Sequence, residues 1–367
     1  MSYISVLRHK LSEHFSWNKS RIEMMSMIIF SLFSVKTISL PELALGIESF
    51  AKPYSIIKRI YRFLSLQIIE ELSFARLVLS LLDLKKFVLI IDRTNWEFGK
   101  AKLNILYLAI SYNNIAIPIL LKMLDNSGGS SSTIDRIGLL EKFLKISDSH
   151  RIEALLGDRE FFSETWIKFL TINKIRFVFR AKCNQLVRHR NGGKVPIKSI
   201  IEGFAPDLWI HFNRNSLIYS TMVKISCKII RNDYVILIYS AEIVKSESVR
   251  LYKIRWEIES MFKAMKSKGF NIENTHLTKT DRLSKMLHII TIAFVFITKF
   301  GLLCHRIKAI KIKKHGRQLF SIFTYGLNIM RKILFLKINR FKLHQLIHSI
   351  LYTQSIPLNL QQFTVRY

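Results

Sequence analysis

The sequence predicts an α/β protein, in which a mixed sheet lies between a helical N-terminal segment and a mainly helical C-terminal segment. Up to about residue 85, apolar residues recur at the three- and four-residue spacing of amphipathic helices. From Lys86 onward they fall instead into short β-branched and aromatic runs, which are typical of buried strands. The chain has 367 residues, which is enough for two or three domains with a sizeable core.

The net charge is the dominant feature of the composition. The formal charge is +31 at pH 7, and the isoelectric point is about 10.1. Such a basic chain is expected to bind a polyanion, which is either nucleic acid or an anionic membrane surface. The hydrophobic fraction of 49% is typical of a folded protein and excludes a disordered tail.

The apolar runs are too short to favour the membrane. The longest, Met286–Thr298, is interrupted by His288 and followed by Lys299, and it falls short of the roughly 20 residues that a bilayer core requires. We therefore expect a buried core helix there and no membrane association.

The scattered cysteines form no CxxC pair, which argues against a disulfide framework or a thiolate zinc site and favours the reducing cytoplasm. They are Cys183, Cys227 and Cys304.

Residues 1–85 are predicted to form a helical N-terminal DNA-binding domain. Pro41 and Pro53 stand near two of the expected helix starts. The third helical stretch, Ile56–Leu66, carries several cations, as a helix-turn-helix bundle on DNA would. A helical packing or dimerisation domain is an equally open interpretation. The cations are Lys58, Arg59 and Arg62.

A second domain is predicted over residues 86–300, beginning with a central strand. Phe87–Ile91 is apolar on both faces and ends at Asp92. A carboxylate in such a place is costly unless it is paired, hydrogen-bonded or bound to a metal. Two more strands, Leu103–Tyr112 and Ile115–Leu124, are joined by a tight turn at Asn113-Asn114.

A fourth strand candidate leads to a second carboxylate. Ile152–Leu156 is followed by Gly157 and Asp158, and then by the helical stretch Ser163–Asn173 and a strand at Ile175–Arg180. Short alternating stretches from about 182 to 245 predict a β-rich insertion.

The stretch Tyr252–Lys266 lacks Gly and Pro and is predicted to be one helix. On a helix, one stripe would hold a carboxylate flanked by two cations and a phenol, a plausible surface for a metal ion and a phosphate backbone. The alternative is a solvated helix face with an ordinary i, i+4 ion pair. The stripe consists of Tyr252, Arg255, Glu259 and Lys266.

Residues 301–367 are predicted to form a basic helical C-terminal segment. No Asp or Glu follows Asp281, so internal salt bridges explain these cations poorly. Phosphate binding is the favoured interpretation, and a generally cationic surface is the alternative. The clustered cations are Lys308, Lys311, Lys313, Lys314 and Arg317.

Three acidic residues, Asp92, Asp158 and Glu259, are the candidate metal ligands. The ends of the first and fourth strands can be neighbours in a sheet, and a later helix can pack beside them. Three converging carboxylates suit Mg²⁺ or Mn²⁺. Two such ions can support in-line phosphoryl transfer, so an acidic metal site in a basic protein is suited to cutting a polyanion.

These motifs resemble those of the DDE transposases of bacterial insertion sequences. The resemblance rests on Asp92-Arg93-Thr94-Asn95-Trp96, on Gly157-Asp158-Arg159-Glu160-Phe161, and on the spacing Tyr-x2-Arg-x3-Glu-x6-Lys from Tyr252 to Lys266. That spacing is similar to the YREK signature of the insertion-sequence-four family. The β-rich insertion before the glutamate resembles that family as well.

The resemblance implies a ribonuclease H-like catalytic core that cleaves double-stranded DNA at terminal inverted repeats and transfers the strand into target DNA. Asp92, Asp158 and Glu259 would hold two Mg²⁺ or Mn²⁺ ions. The DNA-binding set would be Tyr252, Arg255 and Lys266, with Arg159 contacting either phosphate or a structural carboxylate. A homodimer on DNA and a cytoplasmic, nucleoid-associated location are expected.

The resemblance also implies a DNA hairpin intermediate and a base flipped into a pocket, with an aromatic side chain that helps to hold the strand open. Trp209 and Trp256 are candidates, although a core role is favoured for each. Two alternatives to an active transposase stay open. One is a non-catalytic DNA-binding descendant, and the other is a ribonuclease H-like nuclease without strand transfer.

Overall fold

Within the described residues, helices precede and follow a large mixed sheet in sequence. The computed structural model describes residues 3–66, 70–98, 101–125, 128–188, 192–212, 214–230, 233–275, 277, 279–336, 340–353, 355–356 and 361. The chain divides into two compact units. A helical unit comprises Met1–Asp83, Trp96–Lys102 and Met261–Tyr367, and a sheet unit comprises Leu84–Asn95 and Leu103–Ser260.

The strands cluster between residues 87 and 240. In chain order they are β1 (Phe87–Phe98), β2 (Ala101–Tyr112), β3 (Ile115–Leu124), β4 (Ile152–Gly157), β5 (Phe177–Ala181), β6 (Leu186–Arg188), β7 (Lys194–Pro196), β8 (Trp209–His211), β9 (Ser216–Ile218), β10 (Thr221–Ile230) and β11 (Asp233–Ser240).

The helices of the described residues flank and follow these strands. They are α1 (Tyr3–Ser12), α2 (Lys19–Val35), α3 (Leu40–Gly46), α4 (Pro53–Leu66), α5 (Glu71–Leu82), α6 (Thr133–Leu144), α7 (Glu164–Ile172), α8 (Ile197–Ile201), α9 (Lys245–Ile254), α10 (Glu257–Lys263), α11 (Thr280–Ile307), α12 (Ile322–Phe335) and α13 (Arg340–His348).

The main sheet has the order β3-β2-β1-β4-β5-β11-β10-β8, and β9 pairs with β10. β1, β4 and β5 run parallel to one another, whereas β3 is antiparallel to β2 and β11 is antiparallel to β5. The first five strands in this order form a ribonuclease H-like core. The insertion adds strands to the edge beyond β5 and a small β6-β7 hairpin, so its predicted β-rich character is confirmed.

The predicted tight turn between β2 and β3 is confirmed. Tyr112 pairs with Ile115, and Asn113 and Asn114 form the two-residue loop with φ values of 51° and 62°. Positive φ at both loop positions matches the right-handed twist of the flanking strands, and Asn tolerates that region better than most residues. The turn therefore fixes which residues of the hairpin face the same side.

The core of the helical unit is built around α11. Of the described helices, α11 is by itself long and apolar enough to cross a bilayer, and 94% of its most apolar 18-residue stretch is buried within the protein. A bent pair, α2 with α3, would meet the same test only as one broken span, and its two helices meet at 97°. The sequence expectation of a buried core helix at Met286–Thr298 agrees with this burial.

Candidate active site

The two aspartates occupy the same level on neighbouring parallel strands. In the pairing of β1 with β4, Leu89 lies opposite Leu155 and Ile90 lies opposite Leu156. Continuing that register by two residues brings Asp92 opposite Asp158. Neighbouring strands lie roughly 4.8 Å apart, so the two carboxylates are held close together by the sheet itself.

The sequence suggested that the first strand ends at Asp92. This expectation is wrong, because β1 continues past Asp92 to Phe98. Its Oδ1 accepts a hydrogen bond of 2.8 Å from the backbone N–H of Arg93. Burial raises the pKa of Asp92 to about 6, and the negative charges of Asp158 and Glu160 add to that rise. The Arg93 N–H and the charge of Arg255 act in the opposite direction. Burial therefore dominates the ionisation of Asp92, and the surrounding charges modify it.

Asp158 directly follows β4 and begins a single turn of 3₁₀ helix at Arg159–Phe161. Its side chain accepts a hydrogen bond of 2.8 Å from the backbone N–H of Arg159. Gly157 fits closely here, because a Cβ at that position would lie 3.0 Å from the ring of Phe179. A compact glycine therefore lets the strand end pack against β5 while Asp158 emerges beside Asp92.

The single helix predicted for Tyr252–Lys266 is wrong. α9 ends at Ile254, α10 begins at Glu257, and Arg255 and Trp256 form a turn between them. The backbone bonds at the break span three residues, from Arg255 N to Tyr252 O and from Trp256 N to Lys253 O. The chain keeps turning in the same sense but more tightly, as in a 3₁₀ helix.

This tightened turn places Arg255 between two of the predicted metal ligands. Its guanidinium donates to Asp92 Oδ2 at 3.2 Å and to Glu259 Oε1 at 3.1 Å. Arg255 is only 5% exposed. Its contact with the mostly buried Asp92 therefore has less solvent screening than its contact with Glu259, whose side chain is 37% exposed. Burial lowers the pKa of Arg255, but the charges of Tyr252 and the nearby carboxylates outweigh that effect and raise it.

Two aromatic rings cover the Arg255 guanidinium. Its central carbon lies 4.8 Å from the ring centroid of Trp256 and 5.7 Å from that of Tyr252. The favoured core role for Trp256 is wrong, because its side chain is 55% exposed. Trp209, the other candidate aromatic, is half-buried on β8. Tyr252 is buried, and this burial raises the pKa of its phenol.

The remaining predicted site residues lie as follows. Glu259 stands near the start of α10 with its side chain 37% exposed. Lys266 belongs to the helical unit, in a π-helical turn at Ala264–Lys268, with its Nζ 5.8 Å from the ring centroid of Trp96. Burial lowers the pKa of Lys266. The side chain of Arg159 is exposed, which suits contact with a ligand outside the protein.

An ion pair that the sequence did not predict links the segments after the two aspartates. Arg93 donates from Nη2 to Glu160 at 3.2 Å, and from Nη1 to Asn95 at 2.7 Å and to Asn104 at 3.1 Å. Asp92 precedes Arg93, and Asp158 stands two residues before Glu160. The pair therefore tethers the two carboxylate-bearing segments. The visible signal was an Arg directly after one aspartate and a Glu just after the other.

The donor types fit a divalent cation, although Arg255 now neutralises part of the site. Carboxylate oxygens are the ligands that Mg²⁺ and Mn²⁺ prefer. Burial is the main cause of the raised pKa of Asp92, and a bound cation would favour its charged form. Within the described residues, no group of three or more Asp, Glu, His or Cys side chains is spaced for direct metal coordination. An ion shared by Asp92 and Glu259 would therefore have to replace the Arg255 guanidinium.

The strand order and the paired aspartates place this chain in the class of ribonuclease H-like proteins. Residues 84–296, more than half of the chain, match the family described as the transposase DDE domain. The chain belongs to this family, and it is a DNA transposase.

The chain also resembles a solved structure. A cryo-EM structure of piggyBac transposase in a synaptic complex with hairpin DNA is 13% identical, with a TM-score of 0.47. The alignment covers 95% of this chain and 82% of that one. No curated protein sequence is detectably similar to this chain.

Proposed function

We propose that this transposase cleaves DNA at terminal inverted repeats and joins the freed strand to target DNA, with Asp92, Asp158 and Glu259 as its catalytic metal ligands. The observation that carries the proposal is the parallel pairing of β1 with β4, whose register, continued by two residues, brings Asp92 opposite Asp158. Arg255 links Asp92 to Glu259. Transposases of the DDE type generally use divalent metal ions. For this chain we propose two Mg²⁺ ions, which Mn²⁺ could replace.

The bound ions would supply charge for activating the attacking oxygen and stabilising the leaving oxygen. The chain's own residues would perform the positioning. Asp92 and Asp158 are fixed by the sheet and by backbone N–H groups, so they need no reorganisation to serve as ligands. Glu259, which is more exposed, would complete the set from the start of α10.

Four residues are proposed to contact the DNA backbone: Tyr252, Arg255, Lys266 and Arg159. Arg255 carries a planar guanidinium that pairs as readily with a phosphate as with a carboxylate. A phosphate arriving at the site would draw this group from Asp92 and Glu259, which would free both for cations. In this way DNA binding would prepare the metal site.

The spacing of Tyr252, Arg255, Glu259 and Lys266 supports placing the chain in the insertion-sequence-four group of bacterial insertion sequences. We propose that it acts as a homodimer on DNA, in the cytoplasm and at the nucleoid. The proposed catalytic domain spans 86–300, and its β-rich insertion spans about 182–245. The proposed C-terminal segment, 301–367, adds cationic surface.

The N-terminal DNA-binding domain, proposed for residues 1–85, has a suitable surface on α4. Ile56, Ile60 and Phe63 are buried on one side of this helix. The opposite side is exposed and basic, and the Nζ of Lys58 lies 4.4 Å from the ring centroid of Tyr54. A helix with one buried and one cationic side can lie against a duplex. The exposed cations are Lys58, Arg59 and Arg62.

The test is a cleavage and joining assay on a plasmid that carries the DNA flanking the gene, with and without Mg²⁺. Wild-type protein should release the flanked segment and join it to a target plasmid. Asp92→Asn should reduce both products by at least about 10³-fold, because it removes a ligand from a phosphoryl-transfer site.

Asp148→Asn is the matched control, since Asp148 is exposed and its side chain caps no helix. That control should cleave like wild type. Full activity of Asp92→Asn would rule out the proposed metal site. DNA binding without any Mg²⁺-dependent cleavage would identify a non-catalytic descendant, and cleavage without joining would identify a nuclease.

A further inference from the structure

A short, strongly basic hairpin connects α11 to α12 within the helical unit. Its strands pair through Ile312 and Gln318, with backbone hydrogen bonds of 2.8 Å from Lys313 N to Arg317 O and from Leu319 N to Lys311 O. Gly316 N donates to Lys313 O at 2.9 Å, and Gly316 has a φ of 79°. This is a three-residue hairpin loop closed by a left-handed residue, a conformation that favours glycine.

The base of the hairpin is fastened to the two helices. Ile310 is buried, and its backbone N–H donates to Nδ1 of His305 near the end of α11 at 3.0 Å. The hydroxyl of Tyr325 in α12 donates to the Lys308 carbonyl at 3.1 Å. Every residue from Lys311 to Leu319 is nevertheless exposed. The hairpin is therefore a fixed projection that buries little of its own surface.

The charges on this projection oppose the pairing that forms it. Side chains alternate between the two faces of a hairpin, so Lys313 and Arg317 lie opposite each other on one face. Like charges directly opposite each other destabilise a strand pair. No Asp or Glu follows Asp281 in the sequence, so no carboxylate of this segment itself offsets that repulsion. An external polyanion would offset it.

We propose that the hairpin 311–319 enters the major groove of double-stranded DNA; this rests on the proposed function and specifies one of its DNA contacts. The groove is about 12 Å wide and admits a two-stranded ribbon, whereas the minor groove is about 6 Å wide. From one face of the ribbon, the long side chains of Lys311, Lys313 and Arg317 reach the phosphates that flank the groove. The opposite face carries Gln318 and Ile312, which is 71% exposed; these side chains suit adenine edges and thymine methyl groups.

The test compares a double variant, Lys313→Gln with Arg317→Gln, with wild type on a mixed-sequence DNA duplex. A plot of the logarithm of the binding constant against the logarithm of the salt concentration has a negative slope. The double variant should make this slope about 2 less steep, because each lost phosphate contact contributes about 0.9. Dimethyl sulfate methylates guanine N7 in the major groove. Wild type should protect some of these guanines, and the double variant should leave them reactive.

The matched control removes two cations elsewhere, with Lys145→Gln and Lys168→Gln at exposed positions on or beside α6 and α7. It should keep the wild-type slope and protection. The wild-type advantage over the double variant should vanish on a duplex RNA of the same sequence, whose major groove is deep and narrow. An equal advantage on RNA would assign the hairpin to general phosphate binding and overturn major-groove entry.

A second pair of variants keeps every charge and changes only the loop geometry. Gly316→Asn should preserve guanine protection, because Asn tolerates positive φ, whereas Gly316→Val should abolish it. Guanine protection that persists in the Gly316→Val variant would contradict the insertion of the hairpin into the major groove. A salt slope and guanine protection that are unchanged in the double variant Lys313→Gln with Arg317→Gln would also contradict it. In either case, Mg²⁺-dependent cleavage by the wild type would still support the proposed function.

Discussion

Arg255 donates a hydrogen bond to Asp92 over 3.2 Å, although 163 residues separate them in the sequence. The same guanidinium reaches Glu259 at 3.1 Å. A buried cation that joins two carboxylates performs the electrostatic part of what a divalent ion would do there. In the proposed function, Arg255 and a metal ion would compete for the same oxygens, and a DNA phosphate would decide the competition by attracting Arg255.

Arg255→Gln should bind Mn²⁺ more tightly than wild type in the absence of DNA, by several-fold or more. The substitution removes the charge that neutralises Asp92 and Glu259 and leaves both oxygens for the ion. Cleavage of donor DNA should nevertheless fall by at least about tenfold, because the phosphate loses a bidentate donor. Isothermal titration with Mn²⁺ and the plasmid cleavage assay measure the two effects.

Arg250→Gln is the control for that prediction. Arg250 lies on the same helix, α9, and its guanidinium is 3.6 Å from the carboxylate of Glu247 at the protein surface. Its removal should change neither Mn²⁺ affinity nor cleavage. Equal Mn²⁺ affinities for Arg255→Gln and wild type would show that Arg255 and the cation do not share a site.

The Arg93–Glu160 pair should contribute to folding stability and to activity together. Both side chains are mostly buried, with 17% and 20% exposure, and the pair ties the segment after Asp92 to the segment after Asp158. A double-mutant cycle with Arg93→Gln and Glu160→Gln should give a coupling energy of about 1–2 kcal/mol in urea denaturation. Each single variant should also slow DNA cleavage while leaving DNA affinity near wild type.

The Arg180–Asp233 pair provides the matched cycle. Its nitrogen–oxygen distance is similar, at 3.0 Å, but the Asp233 side chain is 69% exposed. Solvent screening should limit its coupling energy to about 0.5 kcal/mol or less. A coupling for Arg93 and Glu160 no larger than this control would mean that the pair does not hold the two segments together.

Sequence patterns predicted the parts of the fold that local physics controls. The apolar run Phe87–Ile91 could be identified as a central strand, because it is short, β-branched and aromatic, and apolar on both faces. Asn113 and Asn114 could be identified as a tight turn from their tolerance of positive φ. Asp92 and Asp158 stood out because each comes at or just after the end of a short apolar run.

What the sequence missed depends on contacts between distant segments. The residue types of Tyr252–Lys266 do not predict a break in the helix, because this stretch contains no Gly or Pro. The tightened turn at Arg255 becomes reasonable only once Asp92 is beside it. The partner of Arg93 could not be chosen from the sequence either, because Glu160 lies 67 residues away and competes with other carboxylates.

Lys299 should make stability increase with pH in the alkaline range. Its Nζ donates to the Leu81 carbonyl at 2.6 Å, and burial, with a further effect from the charge of Lys10, lowers its pKa to about 8; the charge of Asp83 opposes this. Between pH 8 and 10.5 the unfolded chain binds a proton that the folded protein has released, so the free energy of unfolding rises with pH. The gain has an upper limit of about 3 kcal/mol.

The difference between wild type and Lys299→Met isolates that effect in urea denaturation from pH 7.5 to 10.5. The variant loses the hydrogen bond to Leu81 at every pH, so this cost is a constant offset. Relative to the variant, wild type should gain stability as pH rises through the window. A difference that stays flat would mean that Lys299 titrates as an exposed lysine does.

The crossing of α11 and α12 should tolerate no side chain at Gly326. A Cβ there would lie 2.6 Å from the Ile297 carbonyl oxygen and 2.7 Å from the Gly301 nitrogen, both of which are backbone atoms that cannot rotate away. Gly326→Ala should therefore lower the free energy of unfolding by about 2–3 kcal/mol, because overpacking forces the helices apart.

Gly138→Ala on α6 is the matched control, since no atom lies within 4 Å of its new Cβ. That variant should raise stability by about 0.5–1 kcal/mol, because alanine loses less backbone entropy in a helix. Opposite signs for the two substitutions in urea denaturation would support the close helix crossing, whereas a stabilising Gly326→Ala would contradict it.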